Sequence, residues 1–427
     1  MRLEYADLQS AFDDLRKLTG DNKQTVYAML DFSDSDMQVC YSDPNITYNR
    51  KLYGESEEGD TTFKAIVDIK LMGSRLALFK PSGNIHIAPI SITISGDSLE
   101  LSSNKYLMVA NYDDNGELIV GEDGQYQVSN QKGMEVNTKV RFYDVSSNVR
   151  FSATTRAPYE LLYLPEEGND FVTVQKSEFI GTFERLIKTL DSPVCAISPQ
   201  MGMAFAPGKS YVTKDGFTNV DVPAISLSAT LTGRMVEIFK KDSGDAVKVL
   251  LTNDKRFTKV VNEDDSLAVM LVNTNPKQSE LATLMSYEQT PCNKARLQFN
   301  REMFVNLVKM VLSVMENGTA ASKVQFQYDE AEDKMTMLVN RRGSGSAEDA
   351  MTIIAENYSG EPKDIEGVTL NVVFKVLDQA ISHFATPVIE MRIGETPNTK
   401  IMRIAEIERN QVTQEMTEEH MVVYMCA

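Results

Sequence analysis

Six times along its 427 residues this chain leaves strand-forming sequence for a short run with helical apolar spacing, then returns to strands. The runs are Asp7–Thr19, Ile69–Lys80, Ser177–Leu190, Leu227–Lys241, Asn300–Met315 and Thr369–Phe384. In the first, Leu8, Ala11, Phe12, Leu15 and Leu18 share one face; in the fifth, Met303, Phe304, Leu307, Val308, Val311, Leu312 and Met315 do the same. Helices of this length are marginal in water on their own, so each must lay its stripe on a sheet. Cap candidates stand at or near the starts: Asp7, Asp68, Ser177, Ser226 and Asn300. Between the helices come runs such as "KVQFQYD", "KMTMLVN", "VIEMRIG" and "MVVYMCA", rich in β-branched and aromatic residues.

Repetition of one unit is read before any single motif. It predicts an α+β protein of three tandem domains, 1–170, 171–293 and 294–427, each with two helices backing antiparallel sheet. The stretches near 275 ("NTNPKQSE") and 290 ("YEQTPCNK") read as the linker between the last two. The first domain carries extra polar, strand-forming sequence over about residues 109–148.

Charge is distributed unevenly over this pattern. The chain has 61 acidic and 43 basic residues, a net −18, which argues against a uniformly basic nucleic-acid binder. The six helical windows reverse the balance: they hold 13 basic residues, Arg16, Lys17, Lys70, Arg75, Lys80, Arg185, Lys188, Arg234, Lys240, Lys241, Arg301, Lys309 and Lys375, against 8 acidic ones. If the helices share a side, that side attracts phosphates while strands and loops repel them.

Material for catalysis is sparse. The three histidines, His86, His383 and His420, show no metal or triad spacing, so no metal or cofactor is expected. Cys40, Cys195, Cys292 and Cys426 are far apart and read as reduced, mostly buried thiols. "PGKS" at 207–210 imitates a phosphate loop, but the preceding Gly202 is one position too far and the following sequence is strand-like. Asn111–Glu122 imitates a calcium loop between strand-forming flanks, where helices are required, and reads as an acidic hairpin tip. No run approaches the roughly 18 apolar residues of a membrane helix, and "MRLEYADLQSAFDDLRK" has no apolar signal core, so a soluble cytoplasmic protein is expected.

The repeat order resembles the bacterial β-type sliding clamps, the processivity rings of DNA polymerases. The likeness lies in "LQFNREMFVNLVKMVLSVM", "AMTIIAENYSGEPKDIEGVTLNVVFKVLDQAISHF", "VIEMRIGE" and "HMVVYMCA", and in the middle third in "VTKDGFTNV". It implies three domains of two β-α-β-β-β halves each, helices lining a ring and sheets outside. It also implies a head-to-tail homodimer around double-stranded DNA, held topologically and without chemistry of its own. The basic helix residues named above would face the DNA.

By the same resemblance, polymerase and clamp loader would insert short peptides into a pocket near Gly216, Val220, Met402, Tyr424, Met425 and Cys426, although "YMCA" departs from the family's Pro- and Arg-richer ending. "MVLSVM" resembles the seam helix, giving Val311 and Leu312, with Phe151 or Leu107 on the opposing edge. A viral structural or tail protein built of repeated β-rich domains is the alternative, and a calcium-dependent enzyme using Asn111–Glu122 a third reading.

Overall fold

The computed structural model describes the chain except residues 21–24, 34, 56–62, 80–82, 91–97, 111–118, 121–127, 144–158, 190–191, 209–210, 275–286, 288–289, 293–294, 315–320, 341–349, 383, 396–399, 410–415 and 427. Six times a strand runs straight into a helix with no intervening loop. Arg2–Glu4 enters α1 (Tyr5–Thr19), Phe63–Asp68 enters α2 (Ile69–Leu76), and Val172–Gln175 enters α3 (Lys176–Leu186). Ile225–Ser228 enters α4 (Ala229–Phe239) and Ala295–Asn300 enters α5 (Arg301–Ser313). A short α6 (Pro362–Ile365) precedes Thr369–Val373, which enters α7 (Phe374–Ile381). After each of the six come three further strands, so the β-α-β-β-β unit is written six times. The fifth copy adds α6 and the strand Asn357–Ser359.

The helices form where the apolar period demanded them, with small shifts at their ends. Asp68 and Asn300 cap α2 and α5, accepting from Leu71 N (3.0 Å) and Met303 N (3.1 Å). Ser228 rather than Ser226 caps α4, Glu4 precedes α1 so that Asp7 sits inside its first turn, and Ser177 lies within α3. The sixth window is the largest revision: Thr369–Val373 is strand, and helix begins only at Phe374. Thr369, Val372 and Val373 are β-branched, and Leu370 and Val372 alternate into the core as strand neighbours of Ala321–Asp329. Met303, assigned to the apolar stripe of α5, is 57% exposed.

The chain divides into two compact units. One comprises Met1–Phe171, Lys241–Lys248 and Phe257–Val272; the other comprises Val172–Lys240, Val249–Arg256 and Asn273–Ala427. In the first unit the sheet order is Arg2–Glu4, Asn84–Ile90, Ser98–Ala110, Val128–Tyr143, Phe63–Asp68, Tyr27–Phe32, Asp36–Ser42, Ile46–Glu55, Leu267–Val272, Phe257–Asn262. Arg2–Glu4 also pairs with Ile46–Glu55, which closes the first eight strands on themselves. Gly54 permits that closure: a Cβ there would stand 2.6 Å from the Arg2 carbonyl oxygen. The hairpin Ser98–Ala110/Val128–Tyr143 accounts for the additional strand-forming sequence of this region; the acidic segment proposed as its tip lies largely outside the described residues.

In the second unit nine strands run in the order Ile225–Ser228, Val194–Ser198, Met203–Pro207, Tyr211–Gly216, Met416–Cys426, Lys400–Arg409, Val388–Glu395, Ala295–Asn300, Asn357–Ser359. A second sheet orders Ala350–Ile354, Lys334–Asn340, Ala321–Asp329, Thr369–Val373. Its core joins α5 and α7 (Phe304, Leu307, Val308, Phe374, Leu377) to strand residues including Met402, Ile404, Met421, Val423 and Met425. The leading strand of one β-α-β-β-β copy pairs with the three-stranded run of the next, and the reverse. Arg2–Glu4 joins Asn84–Ile90 and Phe63–Asp68 joins Tyr27–Phe32; Ala295–Asn300 joins Val388–Glu395 and Thr369–Val373 joins Ala321–Asp329. This exchange makes two copies one folded body. The "PGKS" stretch leads into the strand Tyr211–Gly216, not into a phosphate-binding helix.

Candidate nucleic-acid interface and partner site

The helices pack in pairs, α1 with α2, α3 with α4 and α5 with α7. Their exposed faces carry the cations singled out in the sequence, but those cations fall into two sets. The first is occupied within the fold. Arg185 of α3 holds the buried Asp215 at 2.6 Å, and Lys240, just after α4, holds Glu184 of α3 at 2.7 Å. Lys241 and Arg50 together hold Asp14 of α1, whose side chain is 0% exposed, at 3.3 and 3.0 Å. Arg16 stands 3.8 Å from Asp13, and Arg301 donates from Nη1 to the Phe384 carbonyl at 2.5 Å.

The second set is Arg75, Lys188, Arg234, Lys309 and Lys375, which make no ion pair among the described residues. Lys17 and Lys70 are exposed, and Lys80 lies outside the described residues. A groove between α5 and α7, lined by Arg301, Glu302, Val305, Asn306, Lys309 and Asp378, mixes both signs. These helices therefore present dispersed single charges rather than a dense basic track.

The buried acids explain where the remaining cations went. Burial pushes the Asp14 carboxyl up, while Arg50 and Lys241 pull it back, so two cations serve one fold-internal charge. Burial acts the same way on Asp215, opposed by Arg185. At Glu390, which is 0% exposed, burial raises the carboxyl but is outweighed by hydrogen bonds from Gln298 (3.0 Å) and Arg296 (2.5 Å) and by the neighbouring Arg392, leaving it below the usual carboxylate range. Asp14 sits between Ala11 and Leu18 on the buried stripe of α1, a position that betrays it in the sequence.

The pocket residues separate by strand alternation. Met402 and Met425 are 1% and 2% exposed and belong to the core on the helix-covered face, so they do not share a face with Tyr424. Tyr424 lies on the opposite face with Ile401, Ala405 and Val422, and Tyr287 and Cys292 pack against this group. Beside it Ala196, Met203, Phe205 and Val212 form a second apolar group, also touched by Tyr287. The join between the two is the pairing of Tyr211–Gly216 with Met416–Cys426. Arg403 donates from Nε to the Tyr424 hydroxyl (3.4 Å), its guanidinium 5.8 Å from the ring centre. Gly216, which ends the same strand, and Val220, which follows it, are exposed, Val220 by 74%; Cys426 pairs through its backbone with Ile401. Sequence reading missed Ile401, Ala405, Val422, Phe205 and Val212, which period-two counting from Tyr424 and across the join would have found.

At the proposed seam, Val311 is 2% exposed and belongs to its own core, so it supports that region without facing outward; Leu312 is half-buried beside it. Leu107 lies on Ser98–Ala110 opposite Gln131, and Phe151 lies outside the described residues. The exposed apolar residues near these places are different ones. α5 packs on Ala350–Ile354 and shows Met303 (57%) and Met310 (54%), with Ile354 itself 51% exposed. α2 packs on Val128–Tyr143 and shows Leu71 (36%), and the 3-10 turn Ala77–Phe79 that follows it shows Leu78 (46%).

Among the described residues no three His, Cys, Asp or Glu are grouped to hold a metal, and no helix is long and apolar enough to cross a membrane. The decoy at Asn111–Glu122 lies largely outside the described residues.

No protein-family model matches the chain, and no curated protein sequence does. Solved structures do match. The DNA polymerase III β subunit of Thermotoga maritima superposes with a TM-score of 0.67 at 11% identity, covering 100% of this chain and 98% of that one. The DNA polymerase sliding clamp of Bacillus subtilis gives 0.65 at 10% identity, covering 100% and 97%. The H. pylori β clamp, solved in complex with diflunisal, gives 0.65 at 12% identity, covering 100% and 98%. The six-fold β-α-β-β-β order, full mutual coverage and these scores together establish that this chain has the α+β fold of the bacterial polymerase sliding clamps.

Proposed function

We propose that this protein is a DNA sliding clamp: two copies close a ring around duplex DNA and tether a replicative polymerase, with no chemistry of their own. The observation that carries this reading is how the last strands of the six copies pair. Each β-α-β-β-β copy ends in a strand that can pair outward. Ile46–Glu55 pairs with Leu267–Val272, and Tyr211–Gly216 pairs with Met416–Cys426. At the corresponding positions Ala350–Ile354 stands last in its sheet, and Val128–Tyr143 meets Phe63–Asp68 at Phe142 and Tyr143. A strand edge is a template for another chain, and head-to-tail pairing of these two strands between two copies repeats the pairing made twice within one. The exposed apolar residues nearby, Leu71 on α2 and Leu78 in the turn after it, with Met310 and Ile354 at the other end, supply the seam's buried surface.

On this reading the chain is three clamp domains, 1–170, 171–293 and 294–427, and the ring works in the cytoplasm of a bacterium or an infected host cell. The dispersed cations Arg75, Lys188, Arg234, Lys309 and Lys375, with Lys17, Lys70 and Lys80, meet phosphates without reading bases. Contacts of this kind each contribute a salt slope of about −0.9 and fix no register, which is what sliding requires. The apolar site around Tyr424 takes a short peptide of the polymerase or the clamp loader, an anchor-in-pocket contact. The expected solution mass is about twice the 47.7 kDa of one chain, measured by light scattering on a sizing column. A single-chain mass at micromolar concentration contradicts the ring.

A further inference from the structure

The apolar site around Tyr424 is already covered by the chain itself. Tyr287 lies against both of its halves, touching the group with Phe205 and Val212 and the group with Ile401, Ala405, Val422 and Tyr424. Its ring stacks on that of Tyr424, centres 6.3 Å apart and planes 24° from parallel. The backbone amide of Thr290 donates to the Tyr287 carbonyl at 3.2 Å, and the chain then continues through Pro291 and Cys292 across the strand Val388–Glu395.

The crossing depends on one missing side chain. A Cβ on Gly394 would stand 2.8 Å from Cys292 Sγ and 3.0 Å from the Pro291 carbonyl oxygen. Glycine inside a strand weakens it and is found where another backbone comes close. Here it lets residues 290–292 lie flat on the sheet, next to Ile401, its register partner. Two separate features therefore seat the same short segment on the same surface: a stacked aromatic ring and a glycine that clears its path.

We propose that Tyr287 occupies in cis the site that partner peptides use, so that docking of a partner is a displacement in which Tyr287 gives way to an incoming aromatic or apolar anchor. The inference rests on the partner-site reading given above. The same apolar surface cannot hold both rings, so the affinity a partner shows is lowered by the fraction of molecules in which Tyr287 is seated. Arg403, beside the Tyr424 ring, favours an anchor that carries or adjoins a carboxylate.

The test uses diflunisal, an aromatic carboxylate bound by a structurally similar clamp, as the probe. Binding is measured calorimetrically to the wild type and to Tyr287→Ala, Tyr287→Phe and Gly394→Ala, with circular dichroism confirming that each is folded. Tyr287→Ala and Gly394→Ala are expected to bind roughly three- to tenfold more tightly than the wild type, the range one stacked aromatic pair supports. Tyr287→Phe, which keeps the ring, binds as the wild type does. Unchanged, weaker or undetectable binding by Tyr287→Ala overturns the proposal, because Tyr287 is then a wall of the site or no part of it. The solution mass of the same samples separates the two ideas: a dimer whose affinity does not rise keeps the clamp and loses the displacement, and a monomer whose affinity rises does the reverse.

Discussion

Met310→Glu combined with Ile354→Glu is expected to turn the proposed dimer into monomers and to abolish the retention on closed circular DNA that a ring predicts. Both residues are more than half exposed in the single chain and lie on Ala350–Ile354, last in its sheet, or on the helix packed against it, so their burial is expected only in the ring. Fully burying a Met or Ile is worth about 1.5–3 kcal/mol and about half of each side chain is still exposed to be buried, so with the seam present twice in a two-chain ring the double variant loses at least about 3 kcal/mol. That corresponds to roughly two orders of magnitude in the dimer dissociation constant. The introduced carboxylates add the cost of an unpaired buried charge. Leu78→Glu, in the turn just after α2, is expected to act in the same direction. Met201→Glu, at an exposed apolar residue of the short helix Pro199–Met201, leaves the mass unchanged. Sedimentation across a concentration series reads all four proteins. A double variant that stays dimeric places the seam elsewhere.

The second large effect belongs to Asp14. Its carboxylate is buried between Arg50 and Lys241, with the Tyr48 hydroxyl 3.4 Å away and Arg50 also bonded to Ser10 Oγ at 3.1 Å. Asp14→Ala removes the acceptor while Arg50, 20% exposed, remains without its counter-charge. Breaking a buried pair in this way costs about 3–5 kcal/mol, whereas removing an exposed one costs about 1 kcal/mol or less. Asp13→Ala, one residue away but on the exposed face beside Arg16, therefore serves as the control. The first urea transition is expected to move to markedly lower denaturant in Asp14→Ala and to stay in place in Asp13→Ala. Equal midpoints for the two variants refute the buried-charge account.

The fold was legible because its unit is short, strongly periodic and repeated. Six amphipathic helices with strands around them left few arrangements open, and their apolar stripes are the buried faces observed, as in Leu8, Ala11, Phe12, Leu15 and Leu18 of α1. Thr369–Val373 escaped because a five-residue stretch with three apolar positions fits both the helical and the strand period until its pairing with Ala321–Asp329 decides between them. The charge pattern was legible only as a sum. Counting basic residues within helical windows cannot tell Lys309, which stands free of ion pairs among the described residues, from Arg185, spent on a buried Asp215 thirty positions later in the chain. Ion pairs between distant segments leave no local spacing to read. The candidate partner site was half legible for a related reason. Alternation places Tyr424 and Met425 on opposite faces, but only the cross-strand register shows that Tyr424 meets Phe205 and Val212 through Tyr287.

Whether the protein encloses DNA can be asked of the DNA's own topology. The protein is dissociated and reassociated in the presence of nicked circular plasmid, passed over a sizing column at high salt, and the plasmid is then cut at one site. A ring predicts that protein co-elutes with the circle, survives the salt that strips charge-based contacts, and is lost promptly once an end is available. Protein that leaves circle and linear DNA at the same rate, following ionic strength alone, contradicts it.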